Sequence, residues 1–279
     1  MSFQTILSVV TDKATVKDSL APALAVAEAY GAHLDALCLG IDRTNIGYYY
    51  EGASAVALQD AIDRARAEAG EIEAATSAAL DASGLRYGTD AEVAQMGDLG
   101  RHVAERARFA DLVVLPLPYG EGKGPELEPV LEAALFEGQS PILVVPDTAK
   151  LVPKPQKIML AWNESAEALR AIRKSLPLLR HAKTVHIVVI DPPVHGRNRS
   201  DPGGMLAQYL ARHGVHAEID VLSKTMPKVS DILKRHAVDI DADMVVMGAY
   251  GHSRFREAIL GGATRNMLEE APVPVFMAH

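Results

Sequence analysis

Short runs with β-branched residues, several of them apolar almost throughout, recur along this chain at residues 4–10, 33–41, 86–95, 111–115 and 141–146. They recur again at 157–162, 184–190, 215–222, 243–248 and 273–277. Runs such as Ile6-Leu7-Ser8-Val9-Val10 and Ile142-Leu143-Val144-Val145 do not alternate apolar with polar positions, which is the mark of strands covered on both faces. Between them lie stretches with apolar residues at helical spacing, for example the Ala- and Glu-rich segment from Ala53 to Ala82. The gaps are long enough for crossover helices, so the pattern predicts parallel strands joined by right-handed βαβ units.

The second series of runs repeats the first. One opens with Thr5-Ile6-Leu7-Ser8 and closes with Pro141-Ile142-Leu143-Val144-Val145-Pro146; the other opens with Lys157-Ile158-Met159-Leu160 and closes with Pro272-Val273-Pro274-Val275-Phe276-Met277. Between them, Asp147 to Gln156 carries Pro153, Pro155, Lys150 and Lys154, a stiff and solvated linker. The predicted class is α/β, with two tandem doubly wound domains at residues 1–150 and 155–279, each a five-stranded parallel sheet flanked by helices. Such sheets bind ligands beyond the carboxyl ends of their strands, where strand order reverses.

Candidate chemistry is concentrated at the end of the chain. The strand Met244-Val245-Val246-Met247 runs into Gly248-Ala249-Tyr250-Gly251, and Gly261-Gly262-Ala263-Thr264 then opens a helical run to Glu270. Glycines just past a strand let the backbone approach a ligand closely, and a helix start offers free N–H groups and the positive end of its dipole. Together these make a phosphate cradle, although the same glycines would equally serve as tight strand-to-helix turns. The spacing Gly-x2-Gly-x9-Gly, followed by helix and final strand, resembles the nucleotide loop of the universal stress protein family, whose fold is adenine nucleotide alpha hydrolase-like. The likeness is close in the second half and loose in the first. It implies binding of ATP or a related adenine nucleotide, with Mg2+ only as a companion of ATP.

On that resemblance Asn163 stands where many members have an aspartate contacting sugar and base, and Val189 stands where backbone groups read the adenine edge. Met247, Gly248, Gly251, Gly261, Gly262 and Thr264 fall on the phosphate side, with Ser253 and Arg254 in reach of phosphate oxygens. Gly262 occupies the place of the family's usual Ser or Thr. Plainer roles remain open: Asn163 and Ser165 could cap the helix from Ala166, Met247 could be core packing, and Arg254 and His252 could be solvated. The resemblance also implies that the last strands of the two halves pair, Ile142–Val145 with Val275–Met277, and it leaves room for a homodimer.

The first half lacks this loop. Leu115-Pro116-Leu117-Pro118-Tyr119-Gly120 puts prolines where the cradle needs N–H donors, and Glu121-Gly122-Lys123-Gly124 lacks the full phosphate-loop pattern. It reads as a degenerate copy of the second.

Composition narrows the classes. Apolar residues make up 48% and charged residues 23%, a globular balance, and the net charge of -8 argues against nucleic acid and anionic membrane as partners. The single cysteine, Cys38, lies in an apolar run and reads as a buried, inert thiol in a reducing compartment. No basic-then-apolar leader follows Met1 and no apolar run reaches spanning length, so the expected location is the cytoplasm. Gly-x-Ser-x-Gly, His-Glu-x-x-His, Cys-x-x-Cys and a Rossmann fingerprint are all missing. Asp191, Asp243 and Glu257 are carboxylates near the predicted site without a partner base or metal arrangement, so a binding module is expected in preference to a fast enzyme. The competing expectation is a stress-response scaffold that binds partners and no nucleotide.

Overall fold

The computed structural model describes residues 2–43, 55–192, 201–249 and 262–279. The chain divides into two compact units, one of Phe3–Leu115 with Gly122–Ser140, the other of Pro116–Glu121 with Pro141–His279.

In the first unit, strands β1 (Thr5–Val10), β2 (His33–Asp42), β3 (Tyr87–Gln95) and β4 (Leu112–Pro116) lie in the order β3-β2-β1-β4. All of these neighbours run parallel. The helices are α1 (Val16–Tyr30), α2 (Ala55–Asp81), α3 (Leu99–Ala107) and α4 (Leu127–Glu132), the last running on into a π-helical turn at Ala133–Glu137. Gly40 on β2 admits α2 at very close range: a Cβ there would fall 1.9 Å from the carbonyl oxygen of Ala65.

The second unit orders β5 (Ile142–Val145), β6 (Lys157–Ala161), β7 (Thr184–Ile190), β8 (Ala217–Leu222), β9 (Met244–Gly248) and β10 (Val275–Ala278) as β5-β10-β9-β6-β7-β8. Its helices are α5 (Ala166–Lys174), α6 (Leu176–Leu179), α7 (Gly204–Arg212), α8 (Val229–Asp239) and α9 (Ala263–Glu269). The ladders are parallel except β5–β10, where Val144 faces Val275 and Ile142 faces Met277 in antiparallel register. The α/β class holds, with one change: this sheet is mixed, not purely parallel. Val275, Phe276 and Met277 are fully buried, and without β5 they would form an open apolar edge.

The two units share a local device. Asp111 Oδ2 accepts from the backbone N–H groups of Gln4 (2.7 Å) and Thr5 (3.1 Å), while its own N–H donates to the Thr5 carbonyl at 2.9 Å. Asp243 does the same to Gln156 (2.7 Å) and Lys157 (2.9 Å), and its N–H donates to the Lys157 carbonyl at 2.9 Å. Each carboxylate satisfies N–H groups at the start of a central strand that have no ladder partner there. Asp243 therefore belongs at the amino-terminal end of β9, opposite the crevice, and the sequence-based placement of this carboxylate near the site is corrected.

The end of β9 is set by α5. A Cβ on Gly248 would fall 2.5 Å from Ala168 N and 2.7 Å from the carbonyl carbon of Glu167, so the first turn of the helix rests on the bare glycine. Ser165 caps that turn, its Oγ accepting from Ala168 N at 3.1 Å. Glu167 in the first turn and Arg173 with Lys174 in the last complement the helix dipole.

Two outcomes are expected. Gly248→Ala forces a backbone clash and lowers stability by about 1–3 kcal/mol in urea unfolding; an unchanged midpoint would show that α5 can lift away freely. Cys38 is fully buried, and burial pushes its thiol up to about 11. The native protein should therefore resist an aromatic disulfide reagent at pH 8 and react only on unfolding, whereas fast labelling of the native chain would contradict the buried placement.

Candidate functional site

In the second unit, β6 lies between β7 and β9, so the chain winds outward in both directions from β6 and the reversal point is the gap between β6 and β9. Of the sequence-predicted residues, Asn163, Val189, Met247 and Gly248 lie at or next to the ends of β6, β7 and β9. Val189 is the penultimate residue of β7, its side chain only 7% exposed. Met247 is 5% exposed and packs in the core of β9, the plainer of its two roles. Gly248 is filled by α5, as described above.

Asn163 follows Trp162 just past β6 and is exposed. Its Oδ1 accepts from Ser165 N at 3.2 Å, an Asx turn that leads into the Ser165 cap. Glu164, between them, takes the left-handed conformation at φ 61, and Asp191 at the end of β7 does likewise at φ 49. Both strand ends thus turn sharply and leave a carboxylate at the rim.

Gly262 is the N-cap of α9, with φ -58 and ψ 154, and Thr264 in its first turn is 3% exposed. Lys228 Nζ donates to Asn266 Oδ1 at 3.2 Å and ties the start of α8 to the same helix. The Arg265 guanidinium stands 5.1 Å above the ring of Tyr119, so the Pro116–Glu121 segment packs against α9. Gly251, Ser253, Arg254 and Gly261 lie outside the described residues, as do His252 and Glu257.

A cavity of about 380 Å³ opens beside the ends of β6 and β7, between α5 and α7. Trp162, Leu169, Leu206 and Tyr209 give it aromatic and aliphatic walls, and Glu164, Asp201 and Arg173 supply charge. Met205, 77% exposed, stands at its mouth. Gly203, at φ 90, backs onto the side chains of Ile187, Ile219 and Val189 at 3.3–3.6 Å from a notional Cβ, which is how α7 can start so close to the sheet. The Asp201 carboxylate folds over Gly204, where any Cβ would overlap it.

Sequence reasoning did not assign a role to Trp162, Arg173, Asp201 or Tyr209. One signal was present: Pro202-Gly203-Gly204 opens a helix with a glycine pair, the same local cue as Gly261-Gly262.

Elsewhere in this unit, Asp220 Oδ2 lies 3.0 Å from His186 Nδ1 and 2.8 Å from His236 Nε2, joining β7, β8 and α8. Among the described residues no group of three or more His, Cys, Asp or Glu side chains is arranged to hold a metal ion.

The first unit is built differently at the corresponding place. The N-cap of α4 is Glu126, where α9 has Gly262. Glu126 is 3% exposed, with Arg43 Nη2 3.4 Å from Oε1, and Arg43 Nη1 reaches Glu68 at 3.3 Å. The Glu126 side chain makes no capping hydrogen bond to α4 and turns to Arg43 instead, whereas the N-cap Gly262 of α9 has no side chain.

Comparison with known proteins agrees with this geometry. Residues 154–279 match the model of the universal stress protein family. Universal stress protein Slr1230 of Synechocystis is 26% identical over 145 residues, covering 49% of this chain and 46% of that protein, so the chain spans about half the length of this curated relative. The solved universal stress protein of Archaeoglobus fulgidus superposes with a TM-score of 0.68 at 14% identity, covering 98% of this chain and 95% of that one. A putative universal stress protein of Pseudomonas aeruginosa gives 0.60 at 16% identity, covering 99% and 93%. At such identities the solved structures speak for the fold, while the family-model match speaks for ancestry: the second half of the chain, residues 154–279, is a universal stress protein domain.

Proposed function

We propose that this domain binds ATP or a related adenine nucleotide and that the chain works as a cytoplasmic stress-response regulatory module. The observation that carries the reading is the cavity at the ends of β6 and β7, aromatic and aliphatic in its walls with a few charged groups at its rim. Trp162 and Glu164 in its lining flank Asn163, Val189 packs against Gly203 at its edge, and β9, ending in Gly248, lies on the other side of β6. In this reading the phosphates lie over Gly251, Gly261 and Gly262, with Ser253, Arg254 and Thr264 beside them and Mg2+ only as a companion of ATP. The first half, a degenerate domain of the same kind, contributes structure, and the two halves join through β5 and β10.

A scaffold function without nucleotide is the second reading. It is favoured by the engagement of Asn163 Oδ1 in a turn and by the filling of Gly248 by α5.

Isothermal titration of the full chain with ATP and AMP separates the two. Saturable heat is expected for the wild type, and its loss in a folded Gly261→Val protein, since a β-branched side chain would block the phosphate side. Absence of any heat from the wild-type chain would favour the scaffold.

A further inference from the structure

The second unit carries a basic face on an acidic chain. Of the 28 Lys and Arg residues, 16 fall within residues 155–279, against only 13 of the 36 Asp and Glu, so the net negative charge belongs to the first half. No Asp or Glu occurs from Ala168 to Ile190, nor from Pro202 to Ala217. These stretches hold α6, α7 and all of α5 beyond its first turn. Arg170, Arg173, Lys174, Arg180 and Arg212 lie on them, all exposed.

A run of contacts makes these residues one surface. The Arg173 guanidinium stands 5.8 Å from the centre of the Tyr209 ring, and that ring lies 4.5 Å from the ring of His213. Arg180 Nη2 in turn lies 3.3 Å from His213 Nδ1, so α5, the end of α6 and α7 are joined side by side. Arg170 is one turn before Arg173 and Lys174 on α5, and Arg212 is one turn after Tyr209 on α7. Exposed cations elsewhere have carboxylate partners, as Lys13 has Glu71, Arg66 has Asp63 and Arg235 has Asp239. Arg170, Lys174 and Arg212 make no ion pair among the described residues.

We propose that this face docks a short carboxylate-rich segment of a partner protein, a reading independent of the nucleotide. Guanidinium forks match carboxylates two bonds at a time, and stacking on Tyr209 holds the Arg173 fork in place before any partner arrives. The face is also bounded. Glu164 and Asp201 stand before α5 and α7, and Glu218 follows α7 on β8. A few carboxylates fit between these limits. A nucleic acid carries its charge along its whole length, about one per 1.7 Å in a duplex, and would run past the face onto acidic surface.

Fluorescence polarisation of a labelled ten-residue glutamate peptide, titrated with the full chain, tests this. Saturable binding is expected in about 50 mM salt and should weaken about tenfold at about 300 mM, as the Debye length shortens. Arg170→Glu with Arg212→Glu should weaken binding at least about tenfold at the lower salt. Arg64→Glu with Arg235→Glu makes the same change in net charge at exposed arginines elsewhere and should stay within about twofold of wild type. Should the first variant fold poorly, Arg170→Ala with Arg212→Ala supplies the second arm, with a smaller loss in the same direction. No saturable binding of the peptide, or an equal loss in the patch and control variants, would overturn the docking face. Tighter binding of a ten-nucleotide thymidine oligomer than of the peptide, lost on the same charge reversal, would overturn the class of partner and make the face a nucleic-acid surface.

Discussion

The geometry of the second unit depends on how closely the first turn of α5 approaches the end of β9. Gly248 makes that approach possible, because any side chain would meet the backbone of Glu167 and Ala168. With the helix seated so low, the chain between β6 and α5 has only Trp162 to Ser165 in which to reverse direction. It does so with a left-handed Glu164, an Asx turn at Asn163 and the Ser165 cap. These local choices agree with one another, and each would be idle without the others. The same seating carries Leu169 and Arg173 along one side of the helix, where they become a wall of the cavity. One close contact thus fixes both the rim and the wall of the candidate site.

The first unit places its closest approach elsewhere, at Gly40, where α2 descends on β2. The long α2 spans Ala55–Asp81, whereas its counterpart α7 covers only Gly204–Arg212. A repeated topology is therefore packed in two ways: the device at the strand starts, Asp111 and Asp243, has the same bonds at 2.7 and 3.1 Å in one unit and 2.7 and 2.9 Å in the other, while the helices over the strands differ. The preserved part satisfies backbone groups that any such sheet must satisfy. The part that differs is where a ligand would touch.

This division explains what could be read from sequence. Central parallel strands are covered on both faces, so their apolar runs mark them out with little dependence on tertiary detail, as Ile142–Val145 and Met244–Gly248 show. That β5 would lie beside β10 was expected from hydrophobic edges in need of cover, but its antiparallel direction was not. Asp243 was misplaced because its position relative to the strand, one residue before β9 begins, matters more than its nearness in sequence to the glycine loop. The cavity left almost no trace in sequence. It is a gap between two helices, and its size follows from where Gly248 and Gly203 let those helices sit. Trp162 became informative only when Tyr209 and Leu206, more than forty positions away, were brought beside it.

The two units also differ in the residue at the start of the helix that follows β4 or β9, Glu126 in one and Gly262 in the other. A helix start presents unpaired N–H groups and a positive partial charge, which favour an anion from whatever source. In the first unit the N-cap Glu126 is buried but makes no capping hydrogen bond to α4; its partner is Arg43, which bridges to Glu68. Removing such a carboxylate from water is costly unless a counter-charge is held close; Arg43 stands 3.4 Å from Oε1, while Oε2 has no hydrogen-bond partner among the described residues. In the second unit Gly262 offers neither side chain nor charge, so no carboxylate at the N-cap itself competes for the start of α9. The two units thus differ by one residue at equivalent helix starts, Glu126 in the first and Gly262 in the second.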